Sequence, residues 1–256
     1  MDKLKELLDK KSIAIIGPAP TLVNKNLGNF IDKFDVVIRI NEFISEKLSK
    51  DYGSRTDVLF LSLNNQTVEI NKKMFLENKD SGKNIKLIVC PRNSLHVSPF
   101  HEQNFVKDEN IFNNFKLINI NNDFYHIGNE KNSNLEEIIG CHPTVGTLAL
   151  ALLNDIEIRS LFVGGFSMYT TKQTYNKAVY NLLKPFGVSN KNKSGHNTEV
   201  EIKFLQSIFT NKKNCHGDAY FRAVIQKRIK NKYFLRLSIL YYNLLIKYFK
   251  NLERKF

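Results

Sequence analysis

The chain has 256 residues, 38 Lys and Arg against 25 Asp and Glu, and a formal net charge of +13. That length suits one large domain with a lid or appendage and buries a sizeable core, roughly three quarters of the unfolded surface. The charge points to anionic partners of some kind without choosing among phosphate polymers, anionic lipid and anionic substrates. No stretch reaches ~18 unbroken apolar residues, which excludes an ordinary membrane span. Cys90, Cys141 and Cys215 stand at unrelated spacings, with no C-x-x-C pair and no zinc pattern, and read as reduced thiols of a cytoplasmic protein.

Residues 1–11, MDKLKELLDKK, form a charged amphipathic segment without an apolar h-region: a short helix or leader, and not a secretory signal. Ser12–Ile16 is a short β-branched run suited to a buried strand. Gly17-Pro18-Ala19-Pro20 breaks it, the glycine permitting close backbone approach and each proline removing a donor. Leu22, Val23, Leu27, Phe30 and Ile31 fit one helix face, with Gly28 as an interruption. Phe34–Ile40 is the next buried strand, carrying Arg39 and followed by Asn41. Two parallel strands so joined put Gly17–Thr21 and Asn41 at the carboxyl edge of one sheet, where open α/β sheets bind ligands. Neither G-x-G-x-x-G nor a P-loop is present.

Tyr52-Gly53-Ser54 is a turn and Asp57–Leu63 a third strand. Residues 64–84 read as a surface helix and loop, and Ile85–Cys90 as a fourth strand ended by Pro91. Within the Asn-rich stretch 92–134, Phe115–Ile120 reads as a further strand. Gly140–Thr147 then opens the strong helix former LALALL, with Thr144 as N-cap. Ile156–Val163 is a buried strand closed by Gly164-Gly165-Phe166. Residues 167–195 are polar and rich in Lys, Asn and Tyr, a length that marks a lid or a disordered segment. His196-Asn197-Thr198-Glu199 begins a helix continuing through Glu201, Ile202, Leu205 and Ile208. In 227–256 basic residues stand against Glu253 alone, around YFLRLSILYYNLLIKYF. That pattern suits a helix lying on anionic lipid. It equally suits a core or dimer-interface helix with a solvated charged tail.

Three separated pieces together resemble one family, the sialyltransferases that include the animal Golgi enzymes and have bacterial relatives. GPAPTLVNKNLGNFIDKFDVVIRIN with the following YGSRTDVLF resembles the family's long motif, matching at Ile31, Asp32, Asp35, Val37, Arg39, Asn41, Gly53 and Thr56. HPTVGTLALALL with IRSLFVGGFSMY resembles the short motif, P-S/T-x-G followed by GF. His196-Asn197-Thr198-Glu199 resembles the very short motif, H-x-x-x-E or H-x-x-E. There are two departures. Pro18 stands where the family's loop has an asparagine that helps hold the nucleotide. Ile13 stands where the animal enzymes have the first cysteine of a disulfide, so that disulfide has no counterpart, in keeping with a reducing compartment.

The resemblance implies a Rossmann-like α/β fold, a mostly parallel sheet flanked by helices. The glycosyltransferase domain is expected over 1–226, with the polar stretch at about 167–195 read as its lid and 227–256 read from its charge pattern as a basic amphipathic helix. The resemblance implies transfer of sialic acid from CMP-sialic acid to a glycan hydroxyl, with inversion, and with neither metal nor cofactor beyond the CMP-sugar. The expected donor-binding residues are Gly17, Pro18, Ala19, Asn41, Thr144, Val145, Gly146, Phe166 and Tyr169. The phosphate is expected at the start of the helix opened by Thr144, where unpaired N–H groups and the dipole favour anions. His196 is the expected general base, since its reference pKa near ~6.5 suits proton abstraction. Arg39, Glu199 and His142 are expected in support, and no D-x-D-like pair suggests a metal. The expected place of work is the cytoplasmic face of a membrane, on a lipid-linked or surface glycan. Alternatives are another CMP-nonulosonate donor such as CMP-Kdo, a basic nucleic-acid-binding protein, or a catalytically dead glycan-binding relative. No RNP, zinc-finger or helix-turn-helix signature supports nucleic acid as a partner.

Overall fold

Ile13, Ala14, Ile15 and Ile16 are each at most 2% exposed, because the strand they form, β1 (Ser12–Ile16), is covered on both faces. The computed structural model describes residues 2–42, 48–65, 67–77, 82, 84–93, 111–118, 122–168, 196–210 and 212–225. It sets β1 inside a sheet with β2 (Val36–Ile40), β3 (Val58–Phe60), β4 (Leu87–Cys90), β5 (Asp123–His126), β6 (Ser160–Gly164) and β7 (Cys215–Gly217). The order is β5-β4-β3-β2-β1-β6-β7, and every pairing is parallel. Ile13 lies opposite Val36 on one side and Leu161 on the other. The chain therefore steps outward from β1 to β5, then returns across β1 to add β6 and β7. The order reverses between β1 and β6, and connections leaving a sheet in opposite directions open a crevice at the strands' carboxyl ends.

In chain order the helices are α1 (Asp2–Leu8), α2 (Gly28–Ile31), α3 (Ser49–Tyr52), α4 (Val68–Glu77), α5 (Ile111–Leu117), α6 (Asn129–Ile139), α7 (Val145–Asn154), α8 (Thr198–Phe209) and α9 (Ala219–Ile225). Successive strand residues point to opposite faces. Ile13, Ile15, Ile38, Val58 and Val89 thus share one core with α1 and α6–α9. Ala14, Ile16, Val37 and Phe162 meet residues of α2 and α3, while Leu59, Ile88 and Cys90 meet α4 and α5. Val145–Leu153 of α7 is buried all round, because the sheet lies under it and α8 packs against it. A helix with no solvated face reads as the continuous apolar run VGTLALALL.

The elements differ from expectation in several places, among them the strand expected over Ile156–Val163, which begins only at Ser160. Of the strand expected over Phe115–Ile120, the described residues 115–118 do not form a strand. Ile111, Asn114 and Ile118 are buried at helical spacing, so α5 occupies that region, and the fifth strand is Asp123–His126. The helix expected over Leu22–Ile31 is split into a 3₁₀ turn (Pro20–Leu22) and α2. Between them Asn24 and Asn26 adopt positive φ, and their N–H groups donate to the Asp51 carboxylate at 2.8 and 2.9 Å. A side chain supplying those acceptors replaces the helix's own carbonyls. The third strand is shorter than Asp57–Leu63, and β7 was not anticipated. The expected basic helix at 227–256 lies outside the described residues, as do all of the expected lid except Ser167 and Met168.

Candidate active site

The loops leaving β1 and β6 are locked together through their backbones. Gly17 N donates to Gly164 O at 2.8 Å, and Ala19 N to Gly165 O at 2.9 Å. A Cβ on Gly17 would stand 2.5 Å from the Gly165 carbonyl oxygen and 3.1 Å from the Phe166 ring. A Cβ on Gly146, in the first turn of α7, would stand 2.7 Å from the same ring. Phe166 is therefore wedged between the β1 loop and the start of α7, and both contacts require glycine. Gly165 has φ +75, the left-handed region glycine occupies without cost. The buried Asp218 ties these loops together, accepting from Gly165 N at 3.0 Å, Thr21 Oγ1 at 2.6 Å and Phe221 N at 2.9 Å. Burial pushes its pKa up. Tyr52 Oη donates to Ala19 O at 2.8 Å and fixes the loop from the other side.

Arg39 is 1% exposed and turns away from this crevice. Its Nε donates to Arg55 O and Thr56 Oγ1, both at 3.0 Å, and its Nη2 to Tyr52 O at 3.0 Å and Gly53 O at 3.1 Å. Asp32 accepts from Ser54 N at 2.8 Å and Ser54 Oγ at 2.9 Å. The residues around Gly53 and Thr56 thus form a loop clasped by Arg39 and Asp32, and that loop carries Tyr52.

Thr144 caps α7, its hydroxyl accepting from Thr147 N at 3.2 Å. The cap is shared with a carboxylate. Glu201 of α8, 1% exposed, accepts through Oε2 from Thr144 N at 3.1 Å, from Thr144 Oγ1 at 2.8 Å and from Thr147 Oγ1. Burial raises the Glu201 pKa, and those three donors pull the other way. Two N–H groups of the first turn, Val145 and Gly146, remain beyond the reach of intrahelical acceptors.

Immediately before Thr144 comes a chain of partners. His142 Nδ1 lies 2.8 Å from Glu136 Oε1, and His142 Nε2 lies 2.6 Å from Arg92 Nη1. Arg92 Nη1 also donates to Pro143 O at 2.9 Å. The His142 carbonyl oxygen accepts from His196 Nδ1 at 2.8 Å, and the two imidazole rings stack at 5.3 Å and 6°. A carbonyl accepts only, so His196 carries its proton on Nδ1 and Nε2 is its basic nitrogen. His196 precedes Asn197, which caps α8 by accepting from Val200 N. Gly17, Phe166, Gly146, Thr144, His142 and His196 thus form one continuous set of neighbours across the crevice.

Of the other expected residues, Pro18 and Ala19 lie in the β1 loop, Val145 begins α7, and Asn41 follows β2 with φ +61. The Asn41 side-chain oxygen is buried and meets no hydrogen-bond donor among the described residues. Glu199 is exposed on the first turn of α8; the buried carboxylate of that helix is Glu201. Tyr169 lies outside the described residues. Arg92, Glu136, Glu201 and Asp218 went unassigned in the sequence reading. Glu201 had one signal, a carboxylate on the stripe that buries Leu205 and Phe209. Arg92 and Glu136 had none. Among the described residues no group of three or more His, Cys, Asp and Glu side chains could hold a metal, and no helix is long and apolar enough to cross a membrane.

A sequence model of glycosyltransferase family 29 (sialyltransferase) matches residues 5–213. The sialyltransferase CstII from Campylobacter jejuni, solved in complex with cytidine-5'-monophosphate, is similar over 84% of this chain and 83% of that chain, at a TM-score of 0.52 and 17% identity. A mammalian sialyltransferase crystal structure is similar over 83% of this chain and 70% of that chain, at 0.48 and 16%. The β-1,6-galactosyltransferase GALT29A of Arabidopsis thaliana is 40% identical over 53 residues, 21% of this chain. The chain spans 13% of that relative's length in the match. At 17% identity the bacterial likeness establishes the fold.

Proposed function

Because the chain belongs to glycosyltransferase family 29, the sialyltransferase family, we propose that it transfers sialic acid from CMP-sialic acid to a glycan hydroxyl, with inversion and without metal. The observation that carries the reading is His196 Nδ1 on the His142 carbonyl, beside the first turn of α7. That bond turns Nε2 into the proton acceptor of an oriented imidazole, as the reaction requires of a general base. The acceptor hydroxyl loses its proton to Nε2 as its oxygen attacks the anomeric carbon. The bond to CMP breaks, and the leaving phosphate takes up negative charge. The open N–H groups of Val145 and Gly146 and the α7 dipole favour an anion there. The buried Asn41 oxygen supports a nucleotide in the same crevice, because a ribose hydroxyl would satisfy an acceptor whose isolation costs about 1–3 kcal/mol.

The donor is tested by titration calorimetry of CMP, CDP and UDP in EDTA. Preference for CMP supports the reading, and equal affinity for UDP removes it. Proton NMR of the first product formed from CMP-sialic acid reads the stereochemistry. A second reading keeps the fold and the base and changes the sugar nucleotide. Pro18 in the β1 loop and the galactosyltransferase match favour it, and UDP binding with UDP-galactose turnover would establish it. Residues 227–256 are read as an anchor on the anionic cytoplasmic leaflet. Salt-sensitive cosedimentation with phosphatidylserine vesicles tests that, and removal of 227–256 is expected to abolish it.

A further inference from the structure

His142 is 7% exposed and Arg92 8%. A guanidinium has donors only. With Arg92 Nη1 at 2.6 Å, His142 Nε2 must be an unprotonated acceptor. The ring proton then sits on Nδ1 and goes to Glu136 Oε1 at 2.8 Å. His142 is held neutral, in one tautomer, by a cation on one nitrogen and a carboxylate on the other. The same Arg92 nitrogen also holds Pro143 O. The peptide between those two grips is the one whose carbonyl accepts from His196 Nδ1, and Pro143 further restricts it by fixing φ.

We propose that Arg92 and Glu136 are positioning residues for His196. They lock the His142 tautomer and aim the His142 carbonyl that sets the tautomer and direction of the base. The inference rests on His196 being the base. It separates two stacked imidazoles by role: His142 is fixed as a strut, and His196 titrates. The charged and titratable groups gathered about this segment are Arg92 just after β4, Glu136 from α6, His196 just before α8 and Glu201 within it, Cys141 beside it, and His126, whose Nε2 lies 2.6 Å from Arg92 O.

The test combines imidazole ¹⁵N NMR of the full chain with pH–rate profiles of Arg92→Met, Arg92→Lys, Glu136→Gln and His196→Ala. Wild-type His142 is expected to show a protonated Nδ1 and a bare Nε2 without titrating between about pH 5.5 and 8. Arg92→Met is expected to lower kcat about 10–100-fold, with the donor KM changed less than about threefold. Its acid limb should gain a second ionisation as His142 Nε2 becomes free to accept a proton. Arg92→Lys should recover part of the rate, and Glu136→Gln should lose rate in the same sense. A wild-type His142 that titrates or carries its proton on Nε2 overturns the proposal. So do wild-type kcat and pH profile in both Arg92→Met and Glu136→Gln while His196→Ala is inactive. Full activity in His196→Ala instead removes the base itself, leaving the spectrum to judge the His142 lock. If Arg92→Met does not fold, the spectrum, Arg92→Lys and Glu136→Gln decide.

Discussion

Single side chains in this crevice are constrained from several directions. A methyl group at residue 146 would press on the Phe166 ring at 2.7 Å. Gly146→Ala is therefore expected to cost about 1–3 kcal/mol of stability, the usual price of overpacking, read from urea unfolding. Glu201 differs, because its cost depends on pH. Burial raises its pKa. A carboxyl raised on folding contributes stability that is complete below its unfolded pKa, about 4.3, and is lost as pH climbs through the folded value. Glu201→Gln has no such loss. The urea midpoint of the wild type relative to Glu201→Gln should therefore fall steadily as pH is raised from about 4.5, and a difference independent of pH would contradict the assignment. The thiols give a third residue-level expectation. Burial pushes Cys141 up to about 11 and Cys215 up to about 12. At pH 8 about a thousandth or less of either is thiolate, so disulfide reagents should react with them far faster after unfolding than before.

At the scale of elements, the segment from β2 to β3 matters through what it holds. Arg39 satisfies the Tyr52, Gly53 and Arg55 carbonyls and the Thr56 hydroxyl, and Tyr52 holds the β1 loop through Ala19. Arg39→Met is expected to destabilise the protein by roughly 1–3 kcal/mol for each buried acceptor left unpaired. CMP affinity should fall with it, although Arg39 faces away from the crevice. Undiminished stability would contradict the clasp. The strands β1, β2, β4 and β6 were legible because each is a short apolar run covered on both faces. β7 was not, since Cys215, His216 and Gly217 carry no apolar pattern and are ordered by pairing with β6. Phe115–Ile120 misled because Phe115, Leu117, Ile118 and Ile120 look strand-like until the helical spacing of Ile111, Asn114 and Ile118 is taken with them. His196 was singled out through its match to the very short motif; its place before a helix start alone reads as an ordinary surface histidine. Arg92 and Glu136 were not singled out, because only the sheet order brings the end of β4 beside α6 and the start of α7.

At the scale of the whole molecule, the candidate site lies where the sheet order reverses. One wall is the β1 loop, another the Gly165-Phe166 turn after β6, and the third the start of α7, with α8 delivering His196 to the same edge. The three motif-like pieces, far apart in the chain, meet there because in a parallel sheet every connection that leaves a strand's carboxyl end emerges on the same edge. Most long-motif residues prove to build loops, whereas the short and very short pieces carry the crevice itself. The central claim is that this crevice holds a CMP-sugar and that His196 takes the acceptor's proton. The most direct measurement is sialyl transfer from CMP-sialic acid by wild type and His196→Ala, with CMP affinity determined calorimetrically for both. The expected result is a 10²–10⁴-fold loss of transfer, the range for a well-placed base, with CMP affinity within about threefold of wild type. Transfer undiminished by His196→Ala would contradict the account.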